Sequence, residues 1–310
     1  MMVQRKRLAC LALLLCFITV LFGCGANAKK NENWAYIVRD CRNPYWEAVI
    51  NAIEAELPEG KELVVFDSIG DIENETNNVD KVMAEGYQKV FVSAVSQTES
   101  TNNVQSLILD GVTVVLVDSM VNGCDEVYQV QSDRFSNGYQ SMTVLLENLP
   151  ENAEVMVMNL ENTEQMMEGV QAALDEHPGI TVMDAFMQKI SNSNDALEQF
   201  QSTMEEKPGI QGIWCVNGLM GEGIVNYIIS NGLEEKVLVS EGRSYPNTPN
   251  ELKRGCPLAS IAEDPSAFGK AAGELMKQIE EDTVEKGATV LIPGILVTRD
   301  NIEKYLDLSY

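Results

Sequence analysis

The short apolar runs of this chain end repeatedly in polar groups of different chemistry. Asp40, Arg42, Asn43, Tyr45 and Trp46 follow Ala35–Val38, Ser93 follows Val90–Val92, and Asp118 and Ser119 follow Val112–Val117. In the second half Asn217 follows Cys215-Val216, Arg243 follows a run ending at Ser240, and Glu263 follows Ser260-Ile261-Ala262. Carboxylates and amides hydrogen-bond hydroxyls, and aromatic faces cover the C–H side of a sugar ring, so this mixture suits a small polyhydroxylated ligand. Each residue also has a plainer role open to it. Asn43 and Asp264 fit helix caps, Tyr45 and Trp46 fit core anchors, Asp118 fits a turn, and Arg243 fits a surface ion pair.

The composition narrows the chemistry further. The single histidine, His177, sits in His-Pro-Gly, which leaves little basis for a zinc site or a histidine-based catalyst. Cys41 follows a strand but has no histidine to activate it. Gly218, Gly221 and Gly223 form GxxGxG rather than the dinucleotide fingerprint, and close helix packing accounts for them. No pair of carboxylates is marked out for glycoside hydrolysis. With 47 acidic against 22 basic residues the formal charge is −25, which argues against a nucleic-acid partner. No cofactor or metal is expected.

Parallel α/β architecture would position these residues. Strands are predicted at Ala35–Val38, Leu63–Phe66, Val90–Val92 and Val112–Val117, then at Glu154–Met158, Ile180–Met183, Gly212–Val216 and Val237–Ser240. Amphipathic helices alternate with them. Trp46, Val49, Ile50, Ile53 and Leu57 recur at helical spacing after Asn43-Pro44. Further helices are predicted near 73–85, 134–148, 163–175, 193–206 and 218–231. Phe268, Ala271, Ala272, Leu275, Met276 and Ile279 form an apolar stripe after Asp264-Pro265. Alternating strands and helices imply right-handed βαβ units, and open parallel sheets bind ligands beyond the carboxyl ends of their strands. The alternation restarts near Asp133, and two similar lobes fit the 310 residues better than one large sheet.

The N-terminus reads as a targeting segment. Arg5, Lys6 and Arg7 precede an apolar run from Leu8 to Phe22, short for a span that needs about 20 residues. It ends in Leu21-Phe22-Gly23-Cys24, which resembles the lipobox of bacterial lipoproteins and makes Cys24 the expected lipidation site. An uncleaved membrane anchor is the alternative. Either way the globular part lies outside the cytoplasm. Loss of residues 1–23 removes three positive charges and no negative one, leaving −28. Residues 24–33 form a tether. Cys41, Cys124, Cys215 and Cys256 are widely spaced, with no CxxC, and resemble no metal or redox framework.

Arg42-Asn43-Pro44-Tyr45-Trp46 carries a family resemblance, together with Asp118, Gln131-Ser132-Asp133, Asn217 and Val297-Thr298-Arg299-Asp300-Asn301. From about residue 34 to 307 the chain resembles the ribose-binding-protein-like substrate-binding proteins of sugar ABC transporters, with the type I periplasmic binding protein fold. The resemblance implies two Rossmann-like lobes with parallel sheets joined by a three-crossing hinge. Residues 34–132 and 264–292 would form the N-terminal lobe, and 133–263 and 293–310 the C-terminal lobe. It implies that Asn43, Tyr45, Trp46, Ser93 and Asp118 line one side of a cleft. Met166, Ser191, Asn217 and Arg243 would line the other, with Glu263 near the hinge.

Three positions depart from the usual sugar binder: Met166 replaces an arginine, Arg243 an aspartate (with Glu241 a rival for that place), and Ser191 an aromatic. A guanidinium only donates, so the ligand is expected to differ from plain ribose, as another sugar, a sugar acid or a small anionic metabolite. The implied partners are that ligand, a membrane permease and the membrane through the lipid; a monomer is expected. A sensor of the same fold is the first alternative and an exported enzyme the second. A sugar-responsive repressor is set aside, because a signal sequence occupies the place of its DNA-binding helices.

Overall fold

The structure, a computed structural model, describes residues 30–124, 127–186 and 193–305. The expected Cys24 and Ser191 lie outside the described residues. The first half forms β1 (Asn31–Val38), α1 (Pro44–Ala55), β2 (Leu63–Asp67), α2 (Ile72–Ala84), β3 (Tyr87–Val92), α3 (Thr101–Leu109), β4 (Thr113–Val117) and β5 (Tyr128–Ser132). The second forms α4 (Arg134–Glu147), β6 (Glu154–Asn159), α5 (Glu164–Asp175), β7 (Thr181–Phe186), α6 (Ser193–Glu206), β8 (Ile210–Cys215), α7 (Gly218–Ser230), β9 (Leu238–Glu241), α8 (Thr248–Arg254) and β10 (Ala259–Ala262). The chain then runs through α9 (Pro265–Glu280), β11 (Thr289–Ile292), β12 (Ile295–Thr298) and a 3₁₀ turn at Ile302–Lys304.

Two six-stranded sheets result, in the orders β11-β5-β4-β3-β1-β2 and β12-β10-β9-β8-β6-β7. Neighbours pair in parallel, except for the antiparallel β10–β12 pair. In β1 Trp34, Tyr36 and Val38 enter one core and Ala35 and Ile37 the other, as a strand covered by helices on both faces requires. The chain passes between the sheets three times: after Ser132, after Ala262 and after Ile292. The third passage is why α9 and β11 join the first sheet while β12 closes the second. Pattern reading does not anticipate β5, β11, β12 or α8, which are four to seven residues long.

Two helix starts follow the predicted caps: Asn43 accepts from Tyr45 N at 3.0 Å and Asp264 from Ser266 N at 2.9 Å. Asn217, expected in the cleft, also caps a helix, accepting from Met220 N at 3.0 Å. The α4–α5 contact is closer than side chains would allow. A Cβ on Gly138 would collide with the carbonyl of Met166, and one on Gly169 with the carbonyl of Phe135. Helices this close fix the first turns of α4 and α5 against each other, and both turns border the cleft.

Candidate functional site

A cavity of about 440 Å³ opens where the carboxyl ends of the two sheets face each other. Arg39, Gln97, Asp118, Ser119, Met120 and Gln131 line it from the first sheet and its loops; Arg134, Asn162, Glu164, Gln165 and Arg243 line it from the second, with Ser132 at the first passage. The volume suits a small metabolite.

Asp118 is the centre of the first wall. It follows β4 with φ +43, an uncommon conformation for a residue with a side chain, while its N–H donates to Val130 O at 2.9 Å. Its Oδ2 accepts from Tyr45 Oη at 2.8 Å. Burial, then the charge of Glu263, push its carboxyl up to about 7, although Arg243 and Tyr45 pull the other way. Across the cleft the Arg243 guanidinium meets Glu263 at 2.5 Å. That pair joins the segment after β9 to the second passage between sheets. Arg39 donates Nε to Ala94 O at 2.8 Å, and its guanidinium lies over the Trp46 ring, 5.8 Å from the centroid. Trp46 itself is buried, edge-on to Tyr45 at 4.9 Å. Neither aromatic ring lines the cavity, and Met120 is the one apolar residue among its liners.

The structure therefore divides the expected site. Asp118 and Arg243 line the cavity, and Tyr45 and Glu263 bond directly to them. Trp46 stands one layer behind, beneath Arg39. Ser93 is fully buried, shares a 2.7 Å hydrogen bond with Tyr36 and donates to Val117 O at 2.7 Å, so it braces β3 and β4 rather than facing the cleft. Met166 points into the core, where a Cβ on Gly242 would meet its Sδ at 2.7 Å. Asn43 and Asn217 cap helices and fall outside the lining. Glu241, the rival to Arg243, is fully buried and accepts from Thr248 Oγ1 at 3.2 Å. Arg39, Gln97, Arg134, Asn162, Glu164 and Gln165 escaped sequence reading. The strand-end rule points to Arg39, immediately after Val38, and to Asn162, three residues beyond β6.

Cys41 makes a poor nucleophile: it is exposed at the surface, yet partial desolvation and the neighbouring Asp67 and Asp40 push its thiol up to about 11. Asp40 and Arg42 are committed to each other in a forked ion pair at 2.6 and 2.7 Å. Among the described residues no cluster of three or more His, Cys, Asp or Glu is placed to hold a metal ion.

Residues 34–283 match the periplasmic binding protein domain. The chain belongs to the periplasmic binding protein family. This is a family of solute-binding proteins that work outside the cytoplasm, and no helix among the described residues is long and apolar enough to cross a membrane. Among curated protein sequences none matches the chain. Among solved structures, a sugar ABC transporter sugar-binding protein from Bacillus halodurans superposes with TM-score 0.76 at 18% identity, covering 89% of this chain and 100% of that one. A periplasmic ribose ABC transporter protein from Conexibacter woesei gives 0.74 at 15%, covering 90% and 95%. A periplasmic solute-binding protein from Actinobacillus succinogenes, with bound D-allose, gives 0.69 at 19%, covering 89% and 100%. At these identities the likeness is one of fold. It matches the two-lobed, three-passage architecture of the periplasmic binding proteins.

Proposed function

We propose that this chain is an extracytoplasmic substrate-binding lipoprotein that captures a sugar or sugar-like solute between its lobes and presents it to an ABC importer. The observation that carries the reading is the polar cavity lined from both sheets, with three chain passages beside it as a hinge. The fold neighbours support the ligand class, since one holds D-allose and another, from Caulobacter, myo-inositol.

On this reading residues 34–132 and 264–292 move as one lobe and 133–263 with 293–310 as the other. Binding makes and breaks no covalent bond, so the protein is not an enzyme. A ligand bonded to both lobes favours the closed state, and closure displays the surface a permease reads. Lipid on Cys24 would keep the monomer at the membrane, and a second contact would aid it because one acyl chain holds only reversibly.

Thermal unfolding of residues 25–310 against sugars, polyols, sugar acids and small anions tests the reading. A ligand at 100 times its Kd adds about 2.7 kcal/mol and raises Tm visibly. No shift across the panel would count against solute capture, and product formation from any panel member would favour an enzyme. Incorporation of labelled palmitate by the wild type, lost in Cys24→Ser, tests the anchor.

A further inference from the structure

The cavity is rich in arginine for a strongly acidic protein. Acidic residues outnumber basic ones 47 to 22 in the chain, yet the charged cavity liners are Arg39, Arg134 and Arg243 against Asp118 and Glu164. The three arginines differ in what they have left to give. Arg243 is engaged by Glu263 at 2.5 Å. Arg39 and Arg134 make no ion pair among the described residues. Arg39 spends Nε on Ala94 O and rests on Trp46, which orients its two Nη groups without neutralising them. Arg134 makes one long contact, 3.4 Å, from Nη1 to Asn162 O. One guanidinium follows β1 of the first sheet and the other opens α4 on the second, so they reach the same cavity from opposite lobes.

A guanidinium only donates, and its fork matches a carboxylate or a phosphate. Two of them on opposite walls, neither in an ion pair although Asp118 and Glu164 share the cavity, leave Nη donors in need of acceptors, which the two oxygens of a carboxylate or phosphate supply better than a neutral hydroxyl. The remaining liners, Gln97, Ser119, Gln131 and Gln165 among them, suit hydroxyl groups, and no aromatic face lines the cavity for ring stacking. We propose that the solute is a small polyhydroxylated anion, a sugar acid or a sugar phosphate, whose anionic group is clamped between Arg39 and Arg134 as the lobes close. This rests on the solute-binding reading above. Burial and the charge of Glu263 raise the Asp118 carboxyl, which lessens its repulsion of such a ligand.

The test is calorimetric titration and thermal unfolding of residues 25–310 with D-glucuronate, D-gluconate and glucose 6-phosphate, against D-glucose, acetate and inorganic phosphate. Binding of a sugar acid or sugar phosphate with little response to D-glucose is expected, and the affinity should fall as salt rises. Arg39→Gln and Arg134→Gln should each weaken that binding roughly tenfold to a hundredfold, with Arg39→Lys and Arg134→Lys intermediate. Unliganded melting of each variant separates a folding defect from a binding one, and the lysine variants keep the charge where glutamine disturbs the fold. The arms that bind separate carboxylate from phosphate. A neutral sugar bound as tightly as its acid, unchanged in all four variants, would overturn the clamp and leave solute binding standing. Acetate or phosphate bound as tightly as the sugar acids would overturn the polyhydroxylated part. Silence from all six compounds, with a neutral sugar or polyol of the wider panel bound, would overturn the clamp alone; silence across that panel as well would overturn both readings.

Discussion

Glu241 carries a carboxyl into the core of the second lobe, and its surroundings decide what it costs. The side chain is fully buried, with Oε2 accepting from Thr248 and Oε1 lying where a Cβ on Gly221 would have to be. This explains one of the glycines in Gly218-x-x-Gly221-x-Gly223, and the Ser193 carbonyl beside Gly223 explains another. Burial, then the charge of Glu251, push Glu241 up to about 8. Burial, then Glu222, push Glu251 up to about 7, and burial, then Glu263, do the same for Asp118. Unfolded carboxyls titrate near 4. Between about pH 4 and these raised values the folded chain holds protons that the unfolded chain has released, so stability falls as pH rises through that window. Glu280 has the opposite sign. Partial burial opposes its charge, but hydrogen bonds from Lys61, Lys89 and Trp34 hold it down to about 2, so its contribution is lost only below about pH 4. The urea midpoint of the unliganded protein should therefore rise as pH falls from 8 to 5.5, with an unfolding free energy larger by about a few kcal/mol. Glu241→Gln should flatten the dependence. A midpoint that climbs with pH over this range would refute the assignment.

Elements were far more legible than the directions of their side chains. The unbroken apolar run after Gly111 and the both-face burial of β1 follow from a parallel sheet, and Asn43-Pro44 and Asp264-Pro265 mark helix starts that the structure retains. Short pieces escaped because four residues show no period: β11 and β12 earn their strand character only from β5 and β10 beside them. Within the site, the strand-end rule located the right loops but could not say which residue of a loop looks outward. Ser93 sits immediately after β3 and turns inward to Tyr36, while Arg39 sits immediately after β1 and turns into the cavity. Trp46 reads as a ligand platform from its type, yet helix α1 lays it into the core, and Arg39, at the end of β1, covers its ring and lines the cavity instead. Arg134 and Glu164 depend on how α4 and α5 cross, and the Gly138 and Gly169 contacts that set that crossing are long-range facts with no local signal.

At the scale of the whole molecule, the closure proposed above brings two acidic lobes together against a formal charge of −25, so the passages between them would have to guide the motion. Asn137 is the side chain that links two of these passages. It is buried, donates Nδ2 to Ser132 Oγ at 3.0 Å and accepts from Gly294 N at 2.8 Å. Ser132 ends β5 at the first passage and Gly294 lies in the third, while Asp133 N donates to Ile292 O at 2.8 Å between the same two segments. The second passage is held separately by Arg243 and Glu263. Replacing Asn137 with Ala leaves a hydroxyl and a backbone N–H without their partner, at a cost of about 1–3 kcal/mol. Because those groups sit at the pivot, the loss should also loosen the hinge. The unliganded variant is expected to melt lower and to show a larger radius of gyration by small-angle scattering, with solute affinity weakened several-fold, since more of the free protein must be gathered into the closed state. A lower Tm with unchanged radius and affinity would mean that Asn137 braces α4 alone and that the hinge is governed by the Arg243–Glu263 pair.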